Sequence, residues 1–321
     1  MTDRAVATTS ADSGPAVYNP FDPAFRADPY PFYDRLRTTA PAHVTPLGLT
    51  VLTRYDDVSH TLRSNDFSRD VDANATPRED PIFQRRRERS RSGAKTILNL
   101  DPPDHTRLRR LVSKAFTPSA IEALRVRIEQ QVDTVLDVAA ERGSMELVDE
   151  LAFPVPFQVI SDLLDLPQDR TDEIREWSQL ITASLEPTST LETLDASDQA
   201  VGQLVPYLME VVEARRTNLG SDVLSALLVA EEAGDRLSTE ELLSFVVLLY
   251  VAGHETTVNL IGNGMFALLK HPDELDRWRR DPSLDAVAVD ELLRYDGPVQ
   301  HTVRVAMTPV SYGEGDQRVE V

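Results

Sequence analysis

Apolar positions recur at helical spacing along most of the chain, and the prolines fall mostly where such runs begin. Asp28-Pro29-Tyr30-Pro31 opens a short helix carrying Phe32, Tyr33 and Leu36, and Asp56 to Arg63 predicts another. Pro102-Pro103 starts a helix that runs to about Phe116. Thr117-Pro118 restarts one, with threonine as N-cap and proline in the first turn, followed by Ile121, Leu124, Ile128, Val132, Val135 and Leu136. Further helices are predicted over Pro154–Leu164, Asp169–Leu185, Leu191–Arg216 and Asp222–Glu232, with a kink or a start at Pro206. Strand patterns are sparse: a hairpin of His43–Thr45 and Leu49–Thr53 around Pro46-Leu47-Gly48, then Met145–Val148 and Thr302–Ala306. Residues 66 to 100 lack periodicity and read as a long loop with helical fragments. The fold class is mainly α with a small β portion. Residues 1–17 read as a disordered lead, and 18–321 as a single domain without a linker.

The strongest pattern begins at Ser238-Thr239-Glu240-Glu241, the form of a capping box. Leu242 to Ala252 is apolar nearly all round, so this helix should be buried on every face. The pattern resumes with Leu260, Ile261, Met265, Phe266, Leu268 and Leu269 and stops at His271-Pro272. An unbroken helix from Glu240 to Lys270 would be about 46 Å long at 1.5 Å per residue. At its centre stands Ala252-Gly253-His254-Glu255-Thr256-Thr257. Glycine weakens a helix interior, and polar groups at core depth cost free energy unless they are paired. The segment reads either as a groove for a small ligand, with a carboxylate and a hydroxyl delivering protons, or as a kinked helix with internally bonded polar groups. A His-Glu-x-x-His zinc site is excluded because Val258 stands at the second ligand position.

Composition narrows the class. The 321 residues carry 33 Lys plus Arg against 53 Asp plus Glu, a net charge of −20, which argues against nucleic acid as partner. The charge is uneven: Arg85 to Arg127 holds twelve basic and four acidic residues, a net of +8, against −28 elsewhere. Such a segment suits an acidic partner or an anionic cofactor, although the run Arg85-Arg86-Arg87-Glu88-Arg89 by itself reads as mobile surface. The N-terminus has no signal-peptide pattern, and the longest uncharged apolar stretch, Leu242–Gly253, falls short of the roughly 20 residues that span a bilayer. The expectation is a cytoplasmic protein that does not contact a membrane. His105 and Arg109 share a helix face and could grip a buried anion, or form a surface cation pair. Glu291 and Arg294 are spaced for an intrahelical pair, a common and uninformative feature by itself.

In this order along the chain, the segments resemble the cytochrome P-450 superfamily in its soluble bacterial branch. Ala252–Thr257 resembles the oxygen-activation motif of the family's long central helix, and Glu291 and Arg294 its Glu-x-x-Arg helix. Asp101–Phe116 resembles its haem-flanking helix, and the likeness runs from about residue 18 to about 306. The resemblance implies a monooxygenase that binds haem, activates dioxygen and inserts one oxygen atom into a small organic substrate. It implies that His105, Arg109 and Arg304 bind haem propionates and that Ala252 belongs to the cofactor site. Glu255 and Thr256 would form the proton-relaying acid–alcohol pair, and Gly253 would let the helix pass close to the haem. Glu291 and Arg294 would be structural. Residues 70–98 would wall the substrate pocket, and helices around 169–216 would cover it. Electrons would come from NAD(P)H through a ferredoxin-type partner, with the basic segment, including Arg110 and Lys114, in its docking face.

The family's haem iron is held by a cysteine thiolate in a loop well downstream of Glu-x-x-Arg. This sequence has no cysteine and offers no metal ligand of that kind. The resulting expectation is an incomplete P-450-like domain, its C-terminal part missing before the haem loop, which leaves the activity of the chain open. The alternative is a non-catalytic remnant or helical binding protein of the same fold. A histidine-ligated haem protein is disfavoured, since none of the six histidines lies in a region resembling the ligand loop.

Overall fold

A computed structural model describes residues 17–46, 48–75, 79–92, 95–167, 169–186, 188–232, 234–313, 315 and 318–321. Residues 1–16 of the expected lead and Leu47 of the expected turn lie outside the described residues. The elements in chain order are α1 (Pro23–Ala27), α2 (Tyr30–Thr39), β1 (Ala42–Val44), β2 (Thr50–Leu52), α3 (Tyr55–Arg63) and β3 (Phe67–Ser68). Then come α4 (Val71–Asn74), α5 (Pro81–Ser92), α6 (Asp104–Ser113), α7 (Pro118–Arg142), α8 (Pro154–Leu164), α9 (Thr171–Ala183) and α10 (Leu191–Thr217). They are followed by α11 (Val223–Val229), β4 (Glu231–Glu232), β5 (Asp235–Arg236), α12 (Thr239–Lys270), α13 (Pro272–Arg280) and α14 (Asp285–Asp296). β6 (Val305–Ala306), β7 (Ser311–Tyr312) and β8 (Val319–Glu320) complete the order.

Within the span that the sequence reads as one domain, contacts group the chain into two compact units. One is Met1–Ser68 with Arg304–Val321, and the other is Arg69–Val303. In the first, β1 and β2 form the expected antiparallel hairpin, Ala42 facing Leu52 and Val44 facing Thr50. β3 pairs with β6, and β7 with β8, also antiparallel. Its small core gathers Ala42, Phe67 and Tyr312, and the Tyr312 hydroxyl lies 2.6 Å from Thr61 Oγ1.

The second unit is helical and holds the large core, built from α8, α9, α10, α11 and the first half of α12. Ser238 starts α12: its hydroxyl accepts from the Glu241 amide at 3.1 Å, and the Glu241 carboxylate accepts from the Ser238 amide at 2.9 Å. Thr190 and Thr193 cap α10 in the same reciprocal way. α10 continues through Pro206, so a helix start at that residue is corrected to a single helix from Leu191 to Thr217. Residues Met145–Val148 are not a strand; a π-helical turn begins at Val148 and leads into α8. The aperiodic region contains a full twelve-residue helix, α5, which the polar sequence of that segment concealed.

One expectation about α12 needs correction. Leu242, Leu243, Val246, Tyr250, Val251, His254 and Val258 are buried, but these lie on one face. Ala252, Asn259, Met265, Phe266 and Leu269 are exposed. By length and composition α12 could also cross a bilayer, further than the shorter apolar stretch suggested. Here its buried face packs against α8, α9 and α10 in the helical core.

Candidate active site

The central turn of α12 divides its polar residues between two faces. His254 is fully buried. Its ring is ringed by Phe153 at 5.4 Å, Phe157 at 5.7 Å and Tyr250 at 5.9 Å, centroid to centroid. Its Nδ1 lies 2.8 Å from the Tyr250 carbonyl and its Nε2 3.4 Å from Ser178 Oγ on α9. Nδ1–H therefore donates to the carbonyl, and Nε2 faces the serine hydroxyl. Burial holds the imidazole below the ordinary histidine pKa, while the Tyr250 carbonyl and the Glu255 charge oppose that shift. The phenol of Tyr250 is pushed upward by burial and lies 3.2 Å from Ser161 Oγ on α8. His254 thus serves to pack α12 against its neighbours.

Glu255 and Thr256 turn the other way. Glu255 is only half-buried, so the expectation that it sits at core depth is corrected; its Oε2 is 3.9 Å from His254 Nε2. The Thr256 hydroxyl donates to the Ala252 carbonyl at 2.9 Å, and the Thr257 hydroxyl reaches the Gly253 carbonyl at 3.4 Å. Ala252, Glu255 and Thr256 share one helix face, with Leu248 and Leu249 a turn earlier. An accessible carboxylate and hydroxyl on a largely apolar surface can exchange protons with a bound molecule.

Gly253 marks the close approach of α12 to α8. A Cβ there would stand 2.5 Å from Ile160 Cδ1 and 2.9 Å from Cγ1, so this glycine is what lets α12 close on α8.

On α6, His105 is half-buried and Arg109 exposed, one turn apart. His105 is held below its ordinary pKa by burial and by the charges of Arg69 and Arg109, with Asp101 opposing. Two guanidinium charges, those of Arg69 and Arg109, therefore act on a neutral imidazole that can still donate a hydrogen bond, a set that suits an anion. Sequence reasoning missed Arg69; its amide donates to the Asp101 carboxylate at 2.9 Å, a link across thirty-two positions with no linear signal. It also missed Arg107, which pairs with Asp235 at 3.2 Å and with Glu241, tying α6 to the start of α12. Arg304 belongs to the other unit, immediately before β6. Glu291 and Arg294 pair on α14 at 2.6 and 2.7 Å, both well exposed. No group of three or more metal-ligating side chains occurs among the described residues.

Comparison with known proteins gives these positions a context. The cytochrome P450 family profile matches residues 43–314. Cytochrome P450 107B1 of Saccharopolyspora erythraea is 42% identical over 300 residues, an alignment covering 92% of this chain and 72% of that protein. Vitamin D(3) 25-hydroxylase of Pseudonocardia autotrophica is 38% identical, with 94% of this chain and 72% of the relative covered. Among solved structures, CalO2 superposes with a TM-score of 0.81 at 33% identity, covering 95% of this chain and 75% of CalO2.

Proposed function

The chain belongs to the cytochrome P450 family, and from that premise we propose that its α6 and α12 residues serve a haem-dependent monooxygenase acting on a small organic molecule. The observation that carries the reading is the division of the α12 turn. His254 and Gly253 are spent on packing, while Glu255 and Thr256 stand on an accessible face.

The residues present meet the requirements of haem in part. His105 and Arg109, beside Arg69, fit a pair of propionates, and Arg304 is assigned to the same task by resemblance. Ala252 offers a small side chain on the accessible face, where a flat ring can approach. The axial thiolate has no counterpart, because none of the 321 residues is cysteine. In the family, haem supplies reductive activation of dioxygen. What they do themselves is narrower. His105 and Arg109 hold an anion. Glu255 exchanges protons with solvent, and Thr256 holds one on Oγ1, where it is bonded to the Ala252 carbonyl until a better acceptor arrives.

Several finer assignments belong to the same proposal. α5, α9 and α10 wall and cover the substrate site, with α5 packed on α10. Electrons arrive from NAD(P)H through a ferredoxin-type donor that meets the basic segment containing Arg110 and Lys114, opposite charge favouring the encounter. The chain works in the cytoplasm, in keeping with its bacterial relatives. The alternative reading is a non-catalytic helical binding protein of this fold.

Adding haem to the purified chain, reducing it and exposing it to carbon monoxide separates the two. The proposal expects haem to bind without a thiolate-type spectrum. Complete failure to bind haem favours the binding-protein reading, and a thiolate-type band contradicts the assignment of ligands made here.

A further inference from the structure

Arg107 does not share the helix face of His105 and Arg109. It stands two residues from each of them, about 200° of helix rotation, so its side chain leaves α6 on the other side. There one guanidinium meets two acidic elements at once. Nη1 lies 3.2 Å from each carboxylate oxygen of Asp235 on β5, and Nη2 pairs with Glu241 in the first turn of α12. The two oxygens of Glu241 divide their work. Oε1 accepts from Arg107, while Oε2 accepts from the Ser238 amide at 2.9 Å and so completes the α12 cap. Arg107 and Glu241 are both half-buried, which shields their pairing from part of the solvent screening.

Apolar packing does not by itself fix how α6 is rotated. Its inner face buries Leu108, Leu111 and Val112, and Phe116 beyond its end meets Phe245 of α12 edge-on at 6.2 Å. A small cavity of about 10 Å³ remains where Leu108 and Val112 approach Leu237 and Phe245. Apolar contact is non-directional, whereas a planar guanidinium held by two carboxylates has a defined orientation. We propose that Arg107 is a positioning residue: by bridging Asp235 and Glu241 it sets the rotation of α6 against α12, and so aims His105 and Arg109 at the anionic groups of the cofactor. Arg107 itself touches no ligand. Its role rests on the reading of His105 and Arg109 as an anion grip, but the movement of α6 that its loss permits does not.

Equilibrium haem titration and NMR titration of the His105 ring, both on the full chain, test this role. Arg107→Gln is expected to bind haem about tenfold more weakly than the parent, within the range by which non-contacting residues modulate a site. Arg107→Lys keeps the charge and should recover part of that loss. Glu241→Gln is the sharper variant, because glutamine still accepts from the Ser238 amide and preserves the cap. It should weaken haem binding by a smaller factor, and adding it to Arg107→Gln should cause no further loss. The ring titration separates movement of α6 from a through-space charge effect. Burial, Arg69 and Arg109 hold the His105 imidazole below its ordinary pKa, with Asp101 opposing. Removing the Glu241 charge through space alone would push that value lower still. Release of α6 disturbs the burial and the cationic neighbours instead, so the value should rise toward the ordinary one. If Arg107→Gln does not fold, Glu241→Gln carries both readouts. The positioning role is overturned by an Arg107→Gln variant that binds haem as the parent does, by additive losses in the double variant, or by a His105 value that stays put or falls in Glu241→Gln. The grip reading fails differently: His105→Ala would then leave haem affinity unchanged, while the His105 shift in Glu241→Gln is still read without haem.

Discussion

The two halves of α12 are similarly apolar and have different surroundings. From Leu242 to Val258 seven side chains are buried against a layer of helices. From Asn259 to Lys270 only Gly264 and Ala267 are buried, while Phe266 and Leu269 are 61% and 65% exposed. α13 and α14, which pack on this second half, contribute no buried residue among those described. Between them and α12 lies a cavity of about 470 Å³ lined by Leu268, Trp278, Leu284, Val287, Leu292 and Tyr295, among others. Apolar composition alone therefore does not say which part of a helix is anchored; the partners supplied by the rest of the chain do. The candidate catalytic face sits at the end of the anchored half.

The largest expected effect contrasts an aromatic from each environment. Phe157→Ala removes a ring buried against Tyr250 and His254 and should cost about 3–5 kcal/mol, read from urea unfolding midpoints. Phe266→Ala, on the exposed half, should stay within about 0.5 kcal/mol of the parent. Comparable losses would erase the distinction between the halves.

A charge contrast should be next in size. Arg215 pairs with Asp222 and with Asp165 at 2.7 Å, with side chains of Arg215 and Asp222 only 14% and 7% exposed. Arg215→Ala strands a buried carboxylate and should lower stability by about 3 kcal/mol. Arg294→Ala, at the exposed Glu291 pair, should leave the unfolding midpoint close to that of the parent. A large loss at Arg294 would mean that the Glu-x-x-Arg pair anchors this chain despite its exposure.

Two glycines of α12 sharpen the picture further. Gly253→Ala drives a methyl into Ile160 and should destabilise by about 1–3 kcal/mol. At Gly262 nothing lies within 4 Å of an added Cβ, so Gly262→Ala should stabilise the helix by about 0.5–1 kcal/mol. Opposite signs in thermal melts are the expected result, and equal signs would show that the α12–α8 contact is looser than described.

The smallest effect is a pH dependence. The unfolded chain protonates His254 at an ordinary value of about 6.5, whereas burial lowers its value in the fold. Above that pH both states are neutral at this site and stability is unaffected. As pH falls below it the unfolded state takes the proton first, so stability drops until the buried ring also titrates. His254→Phe should reduce the loss of stability between about pH 7 and about pH 5. An unchanged acid-side slope would mean that the ring titrates alike in the folded and unfolded chain.

Much of the architecture was legible in the sequence, because capping residues and helical periodicity are local signals. Ser238 with Glu241 marked the start of α12, and Thr117-Pro118 the start of α7. α5 was concealed because its helix is polar and is held by ion pairs to residues more than a hundred positions away. The site was legible as a motif but not as geometry. Adjacent residues on a helix point about 100° apart, so His254 and Glu255 could not both face the core, and only the structure tells which one does. Arg69 and Ser178 were invisible for the same reason as α5: their partners are distant in the chain.

The central claim is that α6 presents an anion grip for a haem-family cofactor through His105 and Arg109. Equilibrium titration of haem into the parent chain and into His105→Ala and Arg109→Glu variants tests it most directly. Each charge-assisted contact is worth about 1.5–3 kcal/mol, so each variant should bind haem at least about tenfold more weakly. Equal affinity of parent and variants would contradict the account.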